Sequence, residues 1–331
     1  MDIINTYACY GVDINERLSS SSGGIFSIIA KNIISNDGIV YGVAMSKDCY
    51  TAEFIGITDE SELYKLRGSK YMQAKLGETY RNVRDNLNQG MKVLFSGTGC
   101  QVNGLKSFLG KDYDSLLCID VICHGVPSPY LWRKYVEYQE QENNGKLKYV
   151  NFRCKYESWT NFGMEETIDR MVNNDFKKLY ISKDKDYYMQ MFLRNYCLRP
   201  SCYKCIAKKN KQSDLTIADF WGIDKVAPEM NDGKGTSLVI TRTSKGQKVF
   251  ESISNKMNIK EVTYEAGVEA NPSEFKSVTR PLQRNHFFDD MYGMSFDELK
   301  KKYASPIKLS FYFRVKRKIK YTLKNIFSGG Y

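Results

Sequence analysis

Lys92-Val93-Leu94-Phe95-Ser96-Gly97-Thr98-Gly99-Cys100 opens as a short apolar strand, Lys92 to Ser96, and breaks at the glycines. A helix is expected to begin near Cys100, with Val102, Leu105, Phe108 and Leu109 on one face. Ser115-Leu116-Leu117-Cys118-Ile119-Asp120-Val121-Ile122-Cys123 then reads as a second, buried strand, ending at Cys123-His124-Gly125. Pro129 to Glu142 reads as the next helix. Strand, helix, strand, helix predicts an α/β unit with parallel strands.

Outward from this unit the pattern continues. Ser19-Ser20-Ser21-Ser22-Gly23-Gly24 precedes a helix carrying Ile25, Phe26, Ile29, Ile33 and Ile34. Asp37-Gly38 closes that helix, Ile39 to Met45 reads as a strand, and residues 78–90 as an exposed helix. Downstream, Tyr149 to Lys155, Phe162 to Ile168, Ser213 to Phe220 and Thr236 to Thr241 read as strands. Tyr188 to Leu198 and Ser244 to Lys256 read as helices. The expected fold is mixed α/β (α+β), with an N-terminal parallel unit followed by a sheet-and-helix region in one body. Its expected parts are residues 1–85, which bind a flavin, 86–260, the core with the ligating cysteines, 261–298, a helical extension, and 299–331, a basic tail.

The 331 residues carry 49 Lys and Arg against 38 Asp and Glu, a formal net charge of +11. Ten of those bases fall in residues 299–331, which hold no acid, so the body is near neutral with 39 bases and 38 acids. Basicity is thus a property of the tail, and the body shows no general preference for nucleic acid. No run approaches the roughly 18 apolar residues of a spanning helix. Met1-Asp2-Ile3-Ile4-Asn5 lacks a basic region followed by an apolar stretch, and a cytoplasmic protein is expected.

Nine cysteines in a reducing compartment are read as core thiols, reactive thiols or metal ligands rather than a disulfide framework. With only His124 and His286, there is little material for His-rich zinc catalysis or a Ser-His-Asp arrangement. Cys202-x-x-Cys205 supplies the bite that zinc and iron–sulfur sites share. Cys100 and Cys123 are its best partners. Each follows an apolar strand at a glycine-containing turn, and in an open α/β sheet such turns share the carboxyl edge. Cys100 also starts a helix, where the dipole favours a thiolate. Cys9, Cys49, Cys118 and Cys154 read as core thiols, and Cys197 as a substitute ligand. Gly97-Thr98-Gly99 lacks the third glycine of a dinucleotide fingerprint, since position 102 is Val. Ser21-Ser22-Gly23-Gly24 before a helix fits an anion cradle or an ordinary serine cap.

Six segments in register resemble the coenzyme F-420 hydrogenase/dehydrogenase beta-subunit family. They are Ser-Ser-Gly-Gly-Ile-Phe (21–26), Arg-Gly-Ser-Lys-Tyr (67–71), Leu-Phe-Ser-Gly-Thr-Gly-Cys-Gln (94–101), Asp-x-x-Cys-His-Gly-Val-Pro-Ser (120–128), Arg-Pro-Ser-Cys-x-x-Cys (199–205) and Ser-Asp-Leu-Thr-Ile-Ala-Asp-Phe-Trp-Gly (213–222). The resemblance implies FAD and a [4Fe-4S] cluster, with Cys100, Cys123, Cys202 and Cys205 as cluster ligands. It implies that Ser21, Ser22, Gly23, Gly24, Ser69, Lys70 and Tyr71 line the flavin, with Asp219 nearby. The chain departs from relatives that carry Pro at Gly99 and Gly at Ala218. It also lacks the N-terminal ferredoxin-like module of many, since only Cys9 and Cys49 precede residue 100. Some relatives resemble proteins encoded among polysaccharide-synthesis functions.

The implied activity is a reductase. A ferredoxin-like donor reduces the cluster, then FAD, then a small organic acceptor, with His124 as proton donor or as a plain hydrogen-bonding partner. The rival expectations are a non-enzymatic zinc protein built on the same four cysteines, and Cys100 as a thiol nucleophile. Residues 307–327 interleave Phe311, Phe313, Val315, Ile319, Leu323 and Ile326 with Lys and Arg, which suits peripheral contact with anionic lipid or an acidic partner.

Overall fold

A computed structural model of the chain describes residues 3–156, 158–170 and 175–304. The tail segment 307–327 lies outside the described residues. Strand β1 (Asn5–Gly11) leads through α1 (Ile14–Ser19) and the serine–glycine turn into α2 (Ile25–Ile34), β2 (Ile39–Met45) and β3 (Ala52–Ile57). The two-residue β4 (Ala74–Lys75) is followed by α3 (Thr79–Asn88), β5 (Val93–Thr98), α4 (Gly99–Leu109), β6 (Leu116–Val121) and α5 (Pro129–Asn143). Next come β7 (Lys146–Cys154), β8 (Gly163–Asp169), β9 (Phe176–Ser182), α6 (Tyr187–Leu193), β10 (Leu215–Asp219) and α7 (Ile223–Val226). The described chain closes with β11 (Ser237–Thr241), α8 (Ser244–Ser252), β12 (Met257–Val262), α9 (Tyr264–Val268), α10 (Arg284–Gly293) and α11 (Phe296–Tyr303).

Nine strands form one sheet in the order β12-β1-β11-β10-β6-β5-β2-β3-β4. Its centre, β10-β6-β5-β2, is parallel. The expected strand–helix–strand unit is there because both faces of these strands are covered. Leu94, Leu117 and Ile119 point into a core shared with α2 and α8, while Val93, Phe95, Leu116 and Cys118 point into another under α3 and α4. That alternation is the pleat of a strand buried on both sides, which explains the unbroken apolar runs. Residues 1–85 and 86–260 contribute strands to this same sheet.

Strands β1 and β12 are not expected from the sequence. Their partners are remote: Asn5 pairs with Thr241, and Gly11 with Met257. No local turn announces such pairings. The expected helix to Leu198 stops at Leu193, because Asn195 turns the chain with φ +65°. Cys49, read as strand-like, sits at φ +59° in the turn between β2 and β3, buried as expected. Helix α5 starts at the expected residue, with the Ser128 hydroxyl accepting from the Tyr130 N–H and Pro129 at the first position. Among the described residues no helix is long and apolar enough to cross a membrane.

Strands β7-β8-β9 form a second sheet, and α5, α6, α10 and α11 bury an aromatic core with it that includes Trp132, Tyr135, Phe152, Tyr188 and Phe287. Inside that core the Tyr135 hydroxyl lies 2.7 Å from Glu166 Oε1 and 2.6 Å from Asp186 Oδ2, and it accepts from Gln139 Nε2 at 2.7 Å. One hydroxyl has one proton to donate, so the second carboxyl contact needs a protonated acid. Burial, with the neighbouring Asp186, raises Glu166 to about 8, and burial raises Asp186 to about 6. The folded protein therefore holds protons that the unfolded chain releases above about pH 4.3. Stability from this pair is full at low pH and is lost as pH climbs toward 8. Glu166→Gln, which keeps the Tyr135 contact without a titrating group, is expected to flatten this decline. Urea midpoints at pH 6 and pH 8.5 check it, and an equal pH dependence in both proteins would refute the assignment.

Candidate metal and cofactor site

Strands β5, β6 and β10 end at the same edge of the sheet, so the turns after them face one another. Cys100 is the second residue of α4, where Gln101 Oε1 accepts from the Thr98 N–H at 2.9 Å and the Thr98 hydroxyl lies 3.2 Å from Cys100 Sγ. Cys123 lies two residues past β6. Cys202 lies within the short turn Pro200–Lys204 and Cys205 directly follows it, and Leu198 fastens this turn to the β6 loop through its bridge to Pro127. All four cysteines line one small cavity of about 30 Å³, together with His124, Asp120, Lys208 and Lys211. The tertiary structure thus brings together the four thiols singled out by spacing.

The donors do not converge on a point. Among the described residues no three His, Cys, Asp or Glu side chains stand tightly enough to hold a single metal ion. Cys100 is exposed while the other three are half-buried. Burial raises the Cys123 thiol to about 12, against the lowering pull of Lys208. The Val126 N–H donates to Cys202 Sγ at 3.4 Å. Lys208 donates to the carbonyls of Cys123 and Ser273, which ties the floor of the cavity to residues beyond α9. Behind it, Lys211 bridges Asp120 (3.0 Å) and Glu274 (2.9 Å), and Arg242 pairs with Glu274, so the buried charges under the cavity are mutually compensated. Four soft sulfur donors backed by cations form a set suited to an anionic thiolate-bound centre. A Cβ at Gly99 would come within 2.9 Å of Asp120 Oδ2 and 3.2 Å of Ala207, so glycine lets α4 press onto this floor.

His124 Nε2 lies 2.6 Å from Asn195 Oδ1, a pairing that puts a proton on Nε2. Its ring stands edge-on to Phe192, and burial lowers its pKa below the usual value. Cys197 does not line the cavity. It is fully buried in the aromatic core, and its carbonyl caps the turn to α5 by accepting from the Ser128 N–H at 2.9 Å. Cys9 and Cys118 are core thiols on strands, as read; Cys154, at the end of β7, is half-buried.

The serine–glycine turn lies at the same sheet edge, because β1 runs antiparallel to β11 and β11 antiparallel to β10. Gly24 caps α2 with φ +87°, and a Cβ at Gly23 would meet the Cys9 carbonyl at 2.6 Å. The turn is anchored from outside: Ser22 Oγ donates to the Thr236 carbonyl at 2.9 Å, and the Gly23 N–H to Ser237 Oγ at 2.9 Å. Ser21 Oγ lies 3.2 Å from Ser69 Oγ and accepts from the Ser69 N–H at 3.0 Å. The two segments expected to line one ligand therefore touch. Lys70 turns inward, donating to the Lys65 (2.9 Å) and Arg67 (2.7 Å) carbonyls, and burial lowers it to about 7. Tyr71 packs on Phe152 and Phe192.

Asp219 ends β10 in a paired state. Arg153 forks onto both its oxygens, and Trp159 Nε1 donates to Oδ1 at 3.1 Å. Arg153, Lys155 and Arg17 were missed by sequence reasoning, as isolated bases on strands and a short helix carry no motif. Lys155 Nζ donates to the carbonyls of Arg17 (3.0 Å), Ser22 (2.7 Å) and Lys234 (2.9 Å), and burial lowers it to about 7. Arg153 Nε is buried without a hydrogen-bond partner among the described residues. Lys155 beside a helix-capping turn, with a donor left over on Arg153, suits an anionic ligand with acceptor atoms.

Residues 90–266 match the family model for the C terminus of the coenzyme F420 hydrogenase/dehydrogenase beta subunit. No curated protein matches the chain. Among solved structures, a chain of the xenon-derivatised F420-reducing [NiFe] hydrogenase complex from Methanosarcina barkeri is similar, with a TM-score of 0.51 and 12% identity over 91% of each chain. At that identity the likeness is one of fold.

Proposed function

The chain belongs to the coenzyme F420 hydrogenase/dehydrogenase beta-subunit family, a family of oxidoreductases, and from that premise we propose that it is an iron–sulfur flavoprotein reductase. In this reading Cys100, Cys123, Cys202 and Cys205 hold a [4Fe-4S] cluster and the Ser21–Gly24 turn, Ser69 and Tyr71 hold FAD. A ferredoxin-like protein is the donor and a small organic molecule the acceptor. The observation that carries the reading is the shared cavity: four thiols from three separate segments line it together. Together the two groups would supply conversion between one-electron and two-electron transfer.

The residues divide the work. The four thiolates bind iron, and Lys208 offsets part of their negative charge from the cavity wall. The α2 N-terminus and Lys155 offer positive potential to a diphosphate, and an arriving anion would favour the charged form of Lys155. Arg153, oriented by Asp219, has Nε to donate. His124 lines the cavity with its Nε2–H held by Asn195, and in this proposal it is the proton donor, through Nδ1 of the protonated ring. A cytoplasmic location is part of the same reading, since exposed thiolate-bound iron survives where thiols stay reduced.

The zinc alternative fits less well. A structural zinc gathers four donors at about 2.0–2.3 Å around one ion, and among the described residues no three His, Cys, Asp or Glu side chains stand that way. Anaerobic purification followed by iron, sulfide and flavin assay tests the proposal. A brown protein with about four iron and four sulfide and one FAD is expected. A colourless protein with a single zinc would overturn it.

A further inference from the structure

The cavity has a lip made from two segments that run side by side in opposite directions. Arg284 donates to the Leu198 carbonyl at 2.9 Å, the Cys205 N–H to Ser277 Oγ at 3.0 Å, and Lys208 to the Ser273 carbonyl. Residues 198–208 are thus laced to residues 273–284 in antiparallel order. The first segment also touches the start of α4. Position 99 faces Ala207, and Asn103 Nδ2 donates to the Asn210 carbonyl at 2.6 Å.

This lip is strongly one-sided in charge. No Asp or Glu occurs from Arg199 to Ser213, or from Phe275 to Phe288. Arg199, Lys204, Lys209, Lys276 and Arg280 are all exposed, and among the described residues none of them has an ion-pair partner. Large apolar side chains stand among them: Ile206 is 71% exposed, Phe275 51% and Leu282 94%. A near-neutral body gives no reason for this concentration. Solvent-exposed apolar groups in the same acid-free segments as unpaired cations have the composition of a docking surface, and an acidic one is the complement.

We infer that the lip formed by residues 199–210 and 275–284 is the docking surface for a small acidic protein that carries one electron at an exposed redox centre. The inference rests on the proposed reading of the thiol cavity for the identity of the cargo. The surface lies at the mouth of that cavity, and Cys100, at the adjoining helix start, reaches solvent. A carrier seated there brings its centre next to the thiols. With the proposed cluster held by the four thiols, one electron would pass to it from the carrier's reduced iron–sulfur centre, with no bond or proton moved. The cations steer the encounter, and Ile206, Phe275 and Leu282 supply apolar contact once water is displaced.

The test uses the full-length, anaerobically purified holoprotein and, as probe, a bacterial-type ferredoxin of net negative charge. Lys209→Glu/Lys276→Glu/Arg280→Glu reverses three rim charges and touches none of the proposed ligands. Calorimetric binding and stopped-flow reduction are measured at low and high salt. The triple variant is expected to bind roughly tenfold or more weakly, with an association rate down 10- to 1,000-fold at low salt. The difference should largely vanish near 0.5 M salt, while excess dithionite bleaches wild type and variant to the same extent. Charge-dependent binding without electron transfer would sink the cofactor reading and leave the docking surface standing. Electron transfer equally fast in the variant would sink the docking surface and spare the cofactor reading. Absence of binding, or tighter binding to duplex DNA or anionic vesicles than to the ferredoxin, would overturn the inference.

Discussion

Anaerobically purified Cys123→Ser protein is expected to turn from brown to the yellow of flavin alone and to retain less than about a tenth of the wild-type iron, because a lost ligand costs at least the 10- to 100-fold in affinity that outer-shell changes cost. Cys123 is fixed by the end of β6, and Lys208 holds its carbonyl. Cys197, the substitute considered from sequence, faces the aromatic core instead. Cys197→Ala is therefore the control. It should keep iron and colour while losing some stability from the core. Bound metal is also folding free energy, so Cys123→Ser should melt lower than wild type under anaerobic conditions and equal to it after chelation. Unchanged iron in Cys123→Ser, or iron lost only in Cys197→Ala, would move the site elsewhere.

Asp219→Ala should destabilise the protein by about 3–5 kcal/mol, the cost of leaving a buried cation without its partner. Arg153 is 5% exposed and directs its fork at Asp219, between the rings of Phe162 and Trp221. Adding Arg153→Met should recover much of that loss, since an apolar side chain of similar length replaces the stranded charge. Flavin binding should not recover, because the double variant lacks the donor with the spare Nε. Urea unfolding of the three proteins gives the coupling, and quenching of flavin fluorescence gives the binding. Full flavin affinity in the double variant would remove Arg153 from the site.

The local signals that were legible are those set by short-range physics. Apolar runs ending in glycine turns marked β5, β6 and the helices after them, and α5 announced itself with Ser128 and Pro129. The Cys202–Cys205 pair and the two strand-end cysteines could be singled out because parallel strands share an edge. The pairing of β1 with β11 and β12 was not legible. It joins residues at least 228 positions apart, and strand propensity says nothing about which partner is chosen. Arg17, Arg153 and Lys155 were hidden for the same reason: a base acquires its role from the carbonyls and carboxylates that the fold delivers to it.

Sequence alone determined the alternating parallel core and which four thiols to compare, since both follow from periodicity and turn chemistry along the chain. Tertiary structure alone decided that those thiols share one cavity while Cys197 does not, that Ser21 meets Ser69, and that Arg153 meets Asp219. Such convergences are set by packing between distant segments, where burial selects one arrangement and leaves no mark on local spacing.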